Sequence, residues 1–267
     1  MSGCLAAPRP GRTAARPGAV LAIIALGTWP SLAADIRVYS SGAPAQVVQM
    51  LGARFSQATG HRVSFTVATV SEIRRMLSAE KPDVVILPVP PIEALDKAGA
   101  LPAGGRIDLA RTGIGVAVRE GASLPDISTA DAVCKLLIEA RSIVHSDPAG
   151  GGFAGAQVAR MMARLGIAET VKPKVSHMFA IGGGTAAVAG GDAEVGLFNI
   201  SEILSAKGVT LAGPLPEELQ SYITFAGAIH AGTASPDVAL AFLRALTDPS
   251  ARDAWKTGGF EPVGANP

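Results

Sequence analysis

The sequence predicts an α/β protein of two lobes, and three observations support this fold class. Short apolar runs alternate with helical patterns along the chain, which predicts strands separated by helices. Several of these runs are apolar throughout, as the strands of a parallel sheet covered on both faces require. No long linker, repeat or low-complexity stretch divides the 267 residues, so we expect two lobes that meet along a crevice.

The first series of elements has the order strand, helix, strand, helix, strand. Residues 36–40 form the first predicted strand, and an amphipathic helix follows it and ends at Gly60. A strand over 62–68, a helix over 71–80 and a fully apolar strand over 83–89 complete the series. This order predicts three parallel strands with helices on the faces of the sheet.

A second series begins after Arg111. Its first strand covers residues 112–118, and a turn rich in Gly, Ser and Pro follows. The later predicted elements are a helix over 129–140, a strand over 142–146, a helix over 153–166, a strand over 174–179, a short helix after a glycine-rich loop, strands over 194–199, 209–211 and 221–231, a helix over 236–248 and a short helix that ends at Trp255.

Composition excludes several classes of protein. Hydrophobic residues make up 48% of the chain, charged residues 17% and aromatic residues 4%. A disordered chain carries fewer apolar residues, and the sequence has no basic stripe of the kind found in nucleic-acid-binding proteins. We therefore expect a folded protein with no nucleic-acid partner.

Residues 1–33 have the pattern of a signal peptide. Three arginines between residues 9 and 16 form a basic region without acidic residues, and an apolar stretch over 19–26 follows. That stretch is too short for a transmembrane helix, and small residues precede the expected cleavage after Ala33. We expect export to the periplasm and a formal net charge lowered by three from +1; an uncleaved membrane anchor is the alternative.

Hydroxyls or glycines are concentrated at four strand-to-helix junctions. These junctions are residues 40–42, 69–71, 146–152 and 181–185. Open α/β sheets bind ligands beyond the carboxyl ends of their strands, where the N–H groups of helix N-termini can hold an anion. The alternative is purely structural, with Ser71 capping its own helix and the glycines forming turns.

Catalytic motifs are absent from the sequence. Gly150, Gly152 and Gly155 match the dinucleotide-binding pattern, but an Asp-Pro pair separates them from the preceding strand and we expect no such cofactor. The sequence lacks a G-x-S-x-G elbow, an H-E-x-x-H motif and a Walker lysine. His145 and His177 end neighbouring predicted strands without metal-ligand spacing. We predict no catalytic residue, no metal and no cofactor, and therefore not an enzyme.

Five segments, in their order along the chain, carry a family resemblance. They are IRVYSSGAPAQVVQMLGARFSQATGHRVSFTVATVSEIRRML, KPDVVILPVPPIEALDKAGAL, SDPAGGGFAGAQVARMMARLGI, AEVGLFNISEILSAKGVTLAGPLPEEL and SPDVALAFLRALTDPSARDAWKTGGFEP. The chain resembles the molybdate-binding type of periplasmic substrate-binding proteins of ABC importers, from Ile36 to about Pro262. The resemblance implies a type II periplasmic binding protein fold, with two lobes that each contain a mainly parallel sheet flanked by helices.

The same resemblance implies the domain organisation and the function. Lobe 1 would comprise residues 34–117 and 227–267, lobe 2 residues 118–226, with crossings near Val116–Arg119 and Phe225–Ala228. The protein would capture a small anion, a molybdate-like oxyanion or a small carboxylate, and deliver it to an ABC transporter permease; we expect a monomer. An exported sensor domain or an enzyme built on the same cleft is the alternative.

The family's ligand-binding positions carry over in part. The usual serine after the first strand is Ala43 here, and the frequent tyrosine of the family's G-I-V-Y motif is Asn199. Because asparagine is shorter and presents different donors, we expect molybdate not to be the best ligand. The predicted ligand-binding residues are Ser40, Ser41, Ser71, Gly152, Phe153, Ile181 and Asn199.

Overall fold

The computed structural model describes residues 33–102 and 104–263. The predicted signal peptide, residues 1–33, lies outside the described residues apart from Ala33, so its cleavage stays a prediction. Within the described ranges, no helix is both long enough and apolar enough to cross a membrane.

Strands and helices alternate along most of the chain. The first elements are β1 (Asp35–Ser40), α1 (Gly42–Thr59), β2 (Arg62–Val67), α2 (Val70–Met76), β3 (Val84–Pro88), α3 (Val89–Lys97), β4 (Arg106–Thr112), β5 (Ile114–Arg119), α4 (Ala130–Glu139), β6 (Ile143–Ser146) and α5 (Phe153–Arg164). The later elements are α6 (Ala168–Val171), β7 (Val175–Met178), α7 (Gly183–Gly190), β8 (Val195–Asn199), α8 (Ile200–Ser205), β9 (Val209–Pro214), β10 (Ile223–Ile229), α9 (Pro236–Thr247), α10 (Arg252–Thr257) and β11 (Glu261–Pro262).

The described strands form two mixed sheets. The first has the order β11-β4-β10-β3-β1-β2 and the second the order β7-β6-β8-β5-β9. Strands joined by helical crossovers are parallel, namely β1 with β2 and β3, and β6 with β7 and β8. Strands β4, β5, β9 and β10, which lie next to the crossings in the sequence, pair antiparallel with their neighbours.

The chain passes between the sheets earlier than the sequence predicts. Gly113 joins β4 of the first sheet to β5 of the second, and residues 215–222 return the chain to β10. The crossings expected near Val116–Arg119 and Phe225–Ala228 therefore lie instead at these earlier positions. Strand β4 explains the first difference, because it is the last strand of the first sheet before the crossing and is not among the predicted strands.

Apolar packing holds the strand ends in place. Strand β3 is buried along its whole length, and α1 buries Val47, Val48, Leu51 and Phe55 before it ends at Gly60, whose φ is +75°. That left-handed conformation favours glycine at a helix end.

Candidate functional site

A cavity of about 390 Å³ lies between the two sheets, at the carboxyl ends of their parallel strands. This is the position where open α/β sheets bind ligands. We call its lining residues between 146 and 207 the second-lobe wall. The first-lobe wall consists of Ser41, Gly42, Ala43, Thr69, Val70, Pro88 and Phe225.

Three helices begin at this cavity with N-cap residues that accept no side-chain hydrogen bond, although in α5 the Gly155 N–H donates to Ser146 Oγ. They are α1, α5 and α7, which follow Ser41, Gly152 and Gly182, and none has an acidic residue in its first turn. First-turn N–H groups have no acceptor within their own helix, and the helix dipole places partial positive charge there. Together the three helix ends make the cavity attractive to an anion.

The three predicted serines, Ser40, Ser41 and Ser71, differ in whether they line the cavity. Ser40 is fully buried and donates to the carbonyl oxygen of Ser41 at 3.0 Å, so it does not line the cavity. Ser41 does line it. Ser71 is exposed and lies outside the lining, because Thr69 caps α2 instead, accepting from the Glu72 N–H and donating to its carboxylate.

The two lobes approach each other closely beside the cavity. A Cβ atom placed on Gly151 would lie 2.6 Å from Ser71 Oγ, and one placed on Gly42 would lie 3.0 Å from Ile181 Cγ2. Gly151 also has a φ of +88°, which disfavours other residues. Glycine at both positions therefore lets the lobes meet across the cleft.

The glycine-rich segment after β6 forms a rigid turn. The Asp147 carboxylate accepts from the N–H groups of Ala149 at 3.2 Å and Gly150 at 2.7 Å. Gly155 donates to Ser146 Oγ at 3.0 Å, and a Cβ atom there would lie 1.8 Å from the Ser146 carbonyl oxygen. The dinucleotide-like glycine spacing thus has a local purpose, the close packing of α5 against the end of β6.

Sequence reasoning missed Glu202, a carboxyl on the second-lobe wall. Its Oε2 accepts from Asn199 Nδ2 at 2.8 Å and from the Asn199 N–H at 3.3 Å. Burial raises the pKa of Glu202, and the hydrogen bonds from Asn199 partly oppose that shift. The N-x-x-E spacing, typical of a helix N-terminus, was the available signal.

Asn199 itself is only 6% exposed. Among the described residues, its Oδ1 and the Oγ of Ser201 are buried without a hydrogen-bond partner. Ser201 does not line the cavity, so the second-lobe wall holds one of these unsatisfied atoms, Asn199 Oδ1, a costly arrangement that is often associated with function.

One cation and several apolar side chains complete the lining. Lys207 is exposed and is the single cationic side chain among the described lining residues. Val70, Phe153, Phe179 and Ile181 provide apolar surface, and Phe179 is 71% exposed. The cavity can thus contact both the charged groups and the carbon skeleton of a ligand.

The histidines stand outside the lining. The rings of His145 and His177 lie 4.7 Å apart between centroids, and burial lowers the pKa of His145. His177 Nδ1 lies 3.9 Å from Asp147 Oδ1. Over the ranges that the structure describes, no three His, Cys, Asp or Glu residues are grouped to hold a metal ion.

Five of the seven predicted ligand-binding residues line the cavity and two do not. The five are Ser41, Gly152, Phe153, Ile181 and Asn199. Ser40 and Ser71 lie nearby without facing it. The role of each residue in ligand binding stays a prediction.

Two mixed α/β lobes around a cleft with anion-binding character define the class of two-lobed periplasmic binding proteins. The chain belongs to the bacterial extracellular solute-binding protein family, whose sequence model matches residues 36–261. The predicted type II, molybdate-binding-like fold is thereby confirmed, and family membership implies an extracytoplasmic location.

Similar proteins differ in what they bind. An aconitate isomerase from a Pseudomonas species is 29% identical over 261 residues, which is 94% of this chain and 98% of that protein. A sulfate-binding protein from Mycobacterium tuberculosis has a TM-score of 0.71 and 20% identity, over 86% of this chain and 87% of that one. The periplasmic molybdate-binding protein of Azotobacter vinelandii has a TM-score of 0.68 and 20% identity, over 85% and 98% of the two chains. The structural similarities support the fold.

Proposed function

We propose that the protein is a receptor that captures a small organic anion between its lobes and delivers it to an ABC permease. The observation that carries this proposal is the convergence of three helix N-termini, those of α1, α5 and α7, on one cavity. Helix ends of this kind bind carboxylate, sulfate and phosphate groups through backbone N–H groups. Membership in a solute-binding family supports delivery to a permease.

The size of the cavity favours a carboxylate over a metal oxyanion. Its volume of about 390 Å³ falls within the range of about 300–1,000 Å³ typical of small-molecule sites. A tetrahedral oxyanion consists of four oxygens around one central atom and offers no apolar surface. The cavity volume and the apolar side chains suit the carbon skeleton of an organic anion. Ala43 and Asn199, which stand where the family usually has serine and tyrosine, support the same preference.

Closure of the lobes would strengthen binding. The candidate N–H donors are divided between the two walls, so one ligand in contact with both would bridge the lobes. Exclusion of water lowers the local dielectric constant and strengthens each charge-assisted hydrogen bond. Binding by such a trap needs no second copy of the chain.

A ligand panel tests the receptor. The chain from Ala34 onward is titrated with molybdate, tungstate, sulfate, citrate and trans-aconitate, at matched ionic strength, by thermal shift and calorimetry. We expect citrate or trans-aconitate to stabilise most, by about 4 kcal/mol at a thousandfold excess over Kd. If none of these anions binds, the receptor proposal is wrong; tight molybdate binding without carboxylate binding would overturn the preference for an organic anion.

A second candidate function is the isomerisation of an unsaturated carboxylate. Two observations favour it: the similarity to an aconitate isomerase along nearly the full length of both chains, and a carboxyl of raised pKa on the cavity wall, Glu202. Such a group can take a proton from one carbon and return it to another, which moves a double bond without a redox change.

Proton NMR of cis-aconitate incubated with the protein separates the two functions. Glu120→Gln, at an exposed position outside the cavity, is the control. The protein is an isomerase if the wild type and this control form trans-aconitate and Glu202→Gln does not. Binding of either isomer without interconversion would leave the receptor function alone.

A further inference from the structure

Glu202 is an acidic group in a cavity whose other features attract anions. Both hydrogen bonds that its carboxylate accepts within the described residues come to Oε2, from the backbone and the side chain of Asn199. Oε1 accepts none among those residues. An ionised carboxylate here would repel an anion at the helix ends, and a protonated one would instead donate a hydrogen bond to it.

Among the described residues, the carboxyl of Glu202 is not paired with a positive charge. Helix α8 packs against α1, β5, β8 and β9, and its residues also surround Gly259. Strands β8 and β9 contain no charged residue. Among the described residues, no cation forms an ion pair with Glu202. The charged groups on the remaining elements and on the cavity wall are Arg54 of α1, Arg119 at the far end of β5, Lys256 and Glu261 on either side of Gly259, Asp147 and Lys207.

We infer that Glu202 and the bound anion share one proton, which the protein takes up from solvent when the anion binds. This inference rests on the proposed function, because it requires an anion in the cavity. Two acidic oxygens in contact in a site of low dielectric constant hold one proton between them, since both cannot stay ionised. The raised pKa of the free Glu202 carboxyl is consistent with this exchange.

A cavity that binds anions only through permanent N–H and O–H donors and a cavity that shares a proton with its ligand differ in how affinity depends on pH. Carboxylic acids titrate near pH 4 in water, so above about pH 6 a free carboxylate ligand arrives ionised. Above the pKa of the free Glu202 carboxyl both groups are ionised before binding, so the shared proton must come from solvent and affinity must fall as pH rises. Glu202→Gln replaces the carboxylic O–H with an amide N–H donor of similar shape, so binding should persist without proton uptake.

Calorimetry of trans-aconitate binding tests the inference. Titrations between about pH 6 and 8.5, in two zwitterionic buffers with different ionisation enthalpies, count the protons taken up. For the wild type and for the Glu120→Gln control we expect uptake that approaches one proton, and an affinity that falls by up to about tenfold per pH unit above the Glu202 pKa. For Glu202→Gln we expect no uptake and a nearly constant affinity.

The possible results are distinct. Wild-type binding without proton uptake overturns the inference and leaves the receptor function in place, and so does a Glu202→Gln variant that still takes up a proton. No binding by the folded wild type overturns the receptor function itself. If Glu202→Gln does not fold, the wild type is examined by infrared spectroscopy: a protonated carboxylic C=O band that appears on binding supports the inference, and its absence overturns it.

Discussion

The two walls of the cavity differ in their titratable groups. The first-lobe wall contains none, and presents the hydroxyl of Ser41 and the uncapped start of α1. The second-lobe wall carries Asp147, Glu202 and Lys207, together with two glycine-rich turns. The first-lobe wall can therefore bind an anion in the same way at any pH. The charge, the protonation state and the shape of the second-lobe wall can instead discriminate between ligands.

The walls also differ in how the backbone in them or directly behind them is supported; Gly42 lines the cavity, and Gly155 lies in α5 just behind the second-lobe wall. Gly42 faces the flexible end of the Ile181 side chain, whereas Gly155 faces the carbonyl oxygen of Ser146. A side chain can change rotamer to admit a methyl group, but a strand backbone cannot. Substitutions at these two glycines should therefore show the difference between the two walls most clearly.

Gly155→Ala should have the largest effect. The new Cβ would lie 1.8 Å from the Ser146 carbonyl oxygen, so α5 must move away from β6 and its first-turn N–H groups from the cavity. Overpacking typically costs about 1–3 kcal/mol, more than the gain of about 0.5–1 kcal/mol expected of alanine in a helix. We expect urea unfolding to show a loss of about 2 kcal/mol or more, and the affinity for trans-aconitate to fall by over tenfold.

Gly42→Ala is the matched change on the first-lobe wall. Its Cβ would lie 3.0 Å from Ile181 Cγ2, and we expect a loss of stability below about 1 kcal/mol because that side chain can move. Equal losses for the two variants would contradict the difference in backbone support.

Glu202→Gln should alter the pH dependence of stability. An unfolded glutamate titrates near pH 4.3, and burial raises the pKa of Glu202 in the folded protein. As pH rises through this window the unfolded chain releases the proton first, so the contribution of Glu202 to stability is lost. The free energy of unfolding of the variant, relative to the wild type, should therefore rise with pH and then level off.

Urea unfolding in small pH steps measures this difference. Ser41→Ala on the first-lobe wall is the control, since it removes no titratable group, and its difference from the wild type should not vary with pH. A pH-independent difference for Glu202→Gln would contradict the raised pKa.

Much of the fold can be predicted because the pattern of apolar residues is local. Strands β3 and β8 consist largely of apolar residues, and Gly60 ends α1 where a left-handed residue is needed. Strand β4 is not predicted, although its alternation of charged with apolar residues, RIDL, is typical of a half-buried strand. The junctions that form the cavity follow from the order of strands and helices, since parallel strands end at one edge of the sheet.

The contributions of individual side chains to the cavity are harder to predict. Ser40 and Ser41 differ by one position, and only the structure decides which one lines the cavity and which is buried away from it. Glu202 lies three residues after Asn199, in the short helix α8. The sequence alone suggests that its carboxylate is exposed to solvent. Its position on the cavity wall depends on the packing of α8, which also contacts α1 of the other lobe, a helix distant in the sequence.

Lys207→Met should have the smallest effect, and that effect should depend on the ligand. Lys207 is exposed, and exposed charge pairs contribute about 0.2–1 kcal/mol, so the affinity for trans-aconitate should fall by no more than about fivefold at low salt. The loss should disappear near 1 M salt, where the Debye length is about 3 Å. Sulfate, a single compact anion held at the helix ends, should lose less than a ligand with three carboxylates. Lys97→Met, at an exposed position outside the cavity, is the control in calorimetric titrations at two salt concentrations. If both variants weaken binding equally, the effect reflects the net charge of the protein, and Lys207 does not belong to the discriminating wall.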